Sequence, residues 1–238
     1  MRRRRPNDPA TASRQGIASR FSAWAACCLG AVLLAGAGMA APDFDRLRQL
    51  AVSRYGAQAG SGVDAWRAMM SDAAALEETA RLERVNTFFN RRIAFEDDVV
   101  VWSEKDYWAT PLETMGKGAG DCEDFSIAKY ATLRELGIPD ERLRLIYVRA
   151  QIGGPQSGVS QAHMVLGYYA TPESEPLILD NLVGEIRPAA RRPDLFPVFS
   201  FNSDGMWVGG ASASSADPTT RLSRWRDVLE RMRREGLQ

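Results

Sequence analysis

Apolar positions recur at helical spacing through the first part of the chain. Phe44, Leu47, Ala51 and Tyr55 fall on one face; Asp43 can cap that helix and Gly56 can end it. A second helix is predicted from about Val63, presenting Val63, Trp66 and Met70. A third, from about Leu76 to Arg92, presents Leu82, Val85, Phe88 and Phe89. Val99 to Trp102 is a short β-branched run. Ser103 to Gly120, rich in glycine, proline and aromatics, reads as a long loop, and such loops in compact domains are often functional. A helix from about Glu123 to Leu136 follows, stopped by Gly137-Ile138-Pro139. The pattern then turns strand-like over Arg144–Ala150, His163–Ala170, Pro176–Asp180 and Val198–Phe201, with Gly153–Ser160 as a hairpin-type connection. Residues 209–220 form a small-residue linker. Arg221–Glu235 is a charged amphipathic helix with Leu222, Trp225, Val228 and Met232 on one side. Helices first and strands afterwards predict an α+β fold.

The N-terminus changes the meaning of the composition. Arg2–Arg5 and Arg20 form a basic region, Phe21–Gly38 is apolar with its strongest core at Leu29–Leu34, and Gly38-Met39-Ala40 ends it with small residues. Residues 1–40 therefore read as a secretory signal peptide cut after Ala40, with an uncleaved anchor as the rival reading. The whole chain has 238 residues, 30 basic and 30 acidic, three cysteines and one histidine. Removing residues 1–40 leaves 24 basic and 29 acidic residues, a net charge of −5, one cysteine and one histidine. The absence of a basic excess argues against a general nucleic-acid binder. One histidine and so few cysteines exclude a zinc ribbon. No later run is long enough to span a membrane, so the exported chain is expected not to be membrane-embedded.

The remaining cysteine, Cys122, stands in Gly120-Asp121-Cys122-Glu123-Asp124 at the start of a predicted helix. Backbone N–H groups and the helix dipole favour a thiolate there. A thiol nucleophile needs a base and a group to orient it. His163 begins a predicted strand and Asp180 ends the next one, so a hairpin of the two would set them side by side. Taken singly, a lone cysteine or histidine is more often ordinary packing; together they define a candidate Cys–His–Asp triad. The carboxylates of Asp121, Glu123 and Asp124 can simply cap the helix. Anions beside a sulfur also disfavour its ionised form, and a bound cation would resolve that conflict. Hard oxygen ligands favour calcium (Ca2+); Asp97 and Asp98 are spare carboxylates that could help, with capping of a turn as the plainer reading.

The ordered set Tyr107-Trp108-Ala109-Thr110-Pro111, Gly120-Asp121-Cys122-Glu123-Asp124, Ala128-Lys129-Tyr130, Ala162-His163-Met164-Val165-Leu166, Leu179-Asp180-Asn181 and Phe199-Ser200-Phe201-Asn202 resembles the bacterial transglutaminase-like cysteine proteinases, the LapG-type periplasmic proteases. The resemblance spans about residues 44–208 and leaves the C-terminal helix uncovered. It implies a papain/transglutaminase-like fold, with N-terminal helices and the cysteine helix packed on an antiparallel sheet. A protease domain is expected over 41–208, with the linker and amphipathic helix over 209–238. It implies Cys122 as nucleophile, His163 as general base and acid, Asp180 as orienting residue, and Asp121 and Asp124 as calcium ligands with Glu123 as a further participant. Trp108 is a candidate oxyanion donor, with loop packing as the plainer reading. The implied substrate is the N-terminal segment of a giant biofilm adhesin, cut at a di-alanine site, and the implied partner is an inner-membrane cyclic di-GMP receptor that sequesters the protease. A transglutaminase or amidase acting by acyl transfer, and a non-enzymatic binding module, are the alternatives.

Overall fold

The computed structural model describes residues 41–154, 156–209, 211 and 214–237. The signal peptide expected over residues 1–40 lies outside the described residues. Helix α1 (Phe44–Tyr55) forms as its pattern predicts: Asp43 accepts the Arg46 backbone N–H at 3.0 Å, and Gly56 ends it at φ 87°. Helix α2 (Ala57–Ala74) starts directly after that glycine, earlier than the expected Val63. Its first turns carry no apolar stripe because they pack through glycines. A Cβ on Gly60 would lie 2.7 Å from Val52, and one on Gly62 would lie 2.9 Å from the Met115 carbonyl. Trp66 is fully buried and donates its indole N–H to Thr132 at 3.0 Å, tying α2 to the helix that carries Cys122. Helix α3 (Glu78–Arg92) buries Leu82, Val85 and Phe89.

The segment after α3 departs from its pattern. Two residues, Ala94–Phe95 (β1), pair in parallel with Ala119–Gly120 (β2). The β-branched run forms a helical turn, α4 (Asp98–Val101), with Val99 and Val100 exposed. The span read as one long loop contains helix α5 (Pro111–Lys117). Thr110 and Glu113 close a reciprocal capping box around Pro111 at the first turn, a signal legible in Thr110-Pro111-Leu112-Glu113.

Helix α6 (Cys122–Glu135) lies against a six-stranded sheet of β3 (Leu143–Gln151), β4 (Ser160–Tyr168), β5 (Leu177–Leu179), β6 (Arg187–Pro188), β7 (Leu195–Phe201) and β8 (Met206–Val208). The order is β6-β5-β4-β3-β7-β8, antiparallel throughout. Alternation sorts the strands into two faces. Leu143, Leu145, Met164, Leu166, Leu179 and Phe201 join the helices in the main core. Ile146, Val148, Val165 and Ile178 form a smaller cluster on the other face.

After the linker come α7 (Pro218–Arg221) and α8 (Ser223–Glu235). The helix expected beyond the protease domain packs into the same core. Trp225, Val228 and Met232 are buried, and Trp225 donates its indole N–H to the Asn202 carbonyl at 2.9 Å. Arg231 reaches from α8 to the Tyr107 hydroxyl (3.0 Å), the Trp108 carbonyl (2.5 Å) and Glu113, so α8 braces the loop before α5. Among the described residues no helix is long and apolar enough to cross a membrane.

Candidate active site

The start of α6 is set by its first few residues. Gly120 passes so close to Asp124 that a Cβ would meet its carboxylate at 2.5 Å, so only glycine fits. Asp121 is the N-cap and accepts the Glu123 backbone N–H at 3.3 Å. Cys122 is therefore the first residue of the helix. Ser126, one turn on, donates to the Met164 carbonyl at 3.1 Å, which ties the first turn of α6 to β4. On β4, strand β5 pairs only with Leu166–Tyr168, which leaves that edge of β4 unpaired at Met164. His163 is the residue before Met164, so the first turn of α6 lies beside the part of β4 that carries the histidine. His163 lies inside β4 rather than at its start, because β4 begins at Ser160.

Asp180 follows β5 directly and is buried with His163. His163 Nε2 lies 2.8 Å from Asp180 Oδ1, which also accepts the Leu182 backbone N–H at 2.9 Å. Arg192 donates to Asp180 Oδ2 at 2.7 Å and is itself 4% exposed. Burial pushes the Asp180 carboxyl up, but His163, the Leu182 N–H and Arg192 outweigh it and hold it down at about 2. Ionised Asp180 can only accept, so Nε2 carries the imidazole proton. Arg192 was invisible in the sequence as a site residue; in a chain with 27 arginines its residue type carries no signal.

The thiol sits in an anionic setting. Burial raises the Cys122 pKa most, followed by the charge and hydrogen bond of Glu123 and the charge of Asp121. These outweigh the helix start, which favours a thiolate. The thiol donates to Glu123 Oε2 at 2.7 Å.

Three other carboxylates converge: oxygens of Asp98, Asp121 and Asp124 lie within 4.8 Å of one another. Asp98 Oδ2 accepts the Tyr107 N–H at 2.6 Å and Asp124 Oδ1 accepts the Ala109 N–H at 2.7 Å, while Asp98 Oδ1 and Asp124 Oδ2 are buried with no partner. Burial, with repulsion from Glu123, Asp106 and Asp97, pushes Asp98 up to about 6; burial and repulsion from neighbouring carboxylates push Asp121 up to about 9 and Asp124 well above the usual range. Orphaned, like-charged oxygens of this kind suit a hard divalent cation. Of the expected ligands, Asp121 and Asp124 converge with Asp98, and Glu123 groups with Asp121 and the Cys122 sulfur. Trp108 is buried, stacks on Phe201 at 5.7 Å and donates its indole N–H to Asp106 at 2.9 Å.

A thiol at a helix start and a buried His–Asp pair on the antiparallel sheet against which that helix lies fit the class of transglutaminase-like cysteine proteinases. The profile of the bacterial transglutaminase-like cysteine proteinases matches residues 61–208, and the chain belongs to that family. Solved structures of Legionella pneumophila LapG are similar to it. The EGTA-treated form is 38% identical, with a TM-score of 0.69 over 81% of this chain and 100% of that one. The calcium-bound form is 39% identical, with a TM-score of 0.66 over 79% of this chain and 98% of that one. The chain matches no curated protein. Its fold is transglutaminase-like, as expected, and the solved LapG structures include a calcium-bound form and an EGTA-treated one.

Proposed function

We propose that this chain is a periplasmic, calcium-dependent cysteine endopeptidase. It cleaves the N-terminal region of a large surface adhesin at a di-alanine site, which releases the adhesin and promotes biofilm dispersal. Residues 1–40 are the export signal, and an inner-membrane receptor for cyclic di-GMP sequesters the enzyme when that messenger is abundant. The observation that carries the catalytic part is the buried His163–Asp180–Arg192 chain beside the strand edge where the Cys122 helix begins.

Asp180 holds the His163 tautomer with the proton on Nε2. Nδ1, the other ring nitrogen, is then the base that takes the Cys122 proton. The thiolate attacks the scissile carbonyl, and backbone N–H groups at the start of α6 stabilise the oxyanion. The Trp108 indole would have to leave Asp106 to assist, so the backbone carries this role. His163 returns the proton to the leaving amine, and water attacks the thioester with His163 again as base. Asp98, Asp121 and Asp124 would hold calcium, with Glu123 at the thiol. Bound calcium supplies the positive charge that offsets the carboxylate field raising the thiol pKa.

The test is incubation of purified protein with N-terminal segments of candidate adhesins, with calcium or with chelator, followed by intact-mass analysis. The reading expects two fragments that sum to the substrate plus one water, in calcium only, and none with Cys122→Ala. Crosslinked product, a one-dalton shift without chain breakage, or cleavage by Cys122→Ala would each overturn it.

A further inference from the structure

The sheet face turned away from α6 carries a cavity of about 370 Å3. That falls within the usual range for small-ligand sites. Ile146, Val148, Val165 and Ile178 form its apolar wall, and Arg144 and Arg192 are its cationic members. Cys122 and His163 do not line it.

The two arginines differ in how they are satisfied. Arg192 is paired twice, with Asp180 at 2.7 Å and with Asp194 at 2.8 Å, yet its Nη1 is buried without a partner. Arg144 is 6% exposed and pairs with no carboxylate among the described residues. Its guanidinium lies over the Tyr169 and Trp207 rings at 4.5 and 3.9 Å and donates to the Pro172 carbonyl at 3.2 Å. Its Nε is buried with no partner. Glu173 lines the cavity from an exposed position but forms no ion pair with either arginine. Buried charges are normally paired, and ring contacts of this kind do not replace a counter-ion. An apolar cavity with an unneutralised guanidinium and two orphaned N–H donors is complementary to one kind of molecule: an anionic head on an apolar tail.

We propose that this cavity is a binding site for a small monocarboxylate with an unbranched apolar tail, its carboxylate taken by Arg144 with the free edge of Arg192 and its tail lying along Ile146, Val148, Val165 and Ile178. The cavity shares Arg192 with the proposed catalytic centre but not Cys122 or His163, and the binding claim is read without any cleavage assay.

Isothermal titration calorimetry of the calcium-loaded protein with octanoate, octanol and acetate tests the proposal. Saturable 1:1 binding of octanoate is expected, with octanol and acetate each weaker by about tenfold or more, since a charge-assisted bond and tail burial are lost in turn. Arg144→Gln should reduce octanoate affinity to that of octanol, and Ala189→Phe, which adds bulk to the lining, should weaken octanoate and octanol together. The three-ligand comparison on the unaltered protein keeps its force if Arg144→Gln fails to fold. Equal affinity for octanoate and octanol, equal affinity for octanoate and acetate, or no saturable octanoate binding would overturn the proposal. So would unchanged octanoate binding in a folded Arg144→Gln variant.

Discussion

Acidifying the calcium-free protein should stabilise it, against the usual expectation for a chain with many carboxylates. The cause is the cluster of Asp98, Asp121 and Asp124. Burial holds Asp98 at about 6 and Asp121 at about 9, while an unfolded aspartate titrates near ~3.9. The folded state therefore binds more protons than the unfolded state between those values, so stability rises as pH falls through the window. From pH 7 to pH 5, Asp98 passes through its folded pKa and contributes about 1 kcal/mol. Asp121 stays protonated in the fold and ionised in the unfolded chain over both pH units, contributing about 3 kcal/mol. At the scale of a domain this size, those sums raise Tm by roughly 10 °C. Saturating calcium needs the carboxylates ionised, so the loaded protein should lack the gain, and the stabilisation by calcium should shrink towards pH 5. Asp140 and Glu235, which burial also raises, titrate in both forms and cancel in the comparison. Differential scanning calorimetry of metal-stripped and calcium-saturated protein at pH 7 and pH 5 measures the difference. Asp98→Asn should flatten the metal-free response by about 1 kcal/mol. Parallel pH responses with and without calcium would refute the carboxylate-cluster account.

Other outcomes follow from single contacts. Asp180→Asn should leave the fold intact and lower kcat by about 10^3–10^4-fold, read from steady-state cleavage, because the amide no longer holds the Nε2–H tautomer. Arg192→Gln leaves Asp180 and Asp194 without their shared cation and should cost about 3–5 kcal/mol in urea unfolding. Trp225→Ala should cost about 3–5 kcal/mol in the same assay, since the indole is fully buried between Tyr130 and Phe201. A loss under about 1 kcal/mol there would mean that α8 is an appendage and not part of the core.

Elements whose apolar period matched their burial were legible in the sequence. Helices α1, α3 and α6 and strands β3 and β4 lie close to where their patterns put them. The early start of α2 was not legible, because close helix packing through Gly60 and Gly62 leaves no apolar stripe to read. Helix α5 was hidden inside a glycine- and proline-rich span, although its capping box was present. Val99 and Val100 look strand-forming but are exposed on a helical turn, where packing cannot act on their propensity. At the site, the pairing of His163 with Asp180 followed from neighbouring strands. Asp98 entered the cluster from α4, some twenty residues upstream, and Arg192 entered from beyond β6. Asp98 was legible only as a spare carboxylate and Arg192 not at all, because tertiary packing brings both to the site.

The account rests on Cys122 as a nucleophile whose ionisation is opposed by its carboxylate neighbours and restored by a cation and His163. Its alkylation rate tests this directly. In the chain from residue 41 onward Cys122 is the sole cysteine, so intact mass after timed exposure to iodoacetamide reports that thiol alone. At pH 7 the account predicts alkylation about tenfold or more faster with calcium than with chelator, and loss of that gain in His163→Ala. Equal rates with calcium and with chelator in the unaltered chain would contradict it.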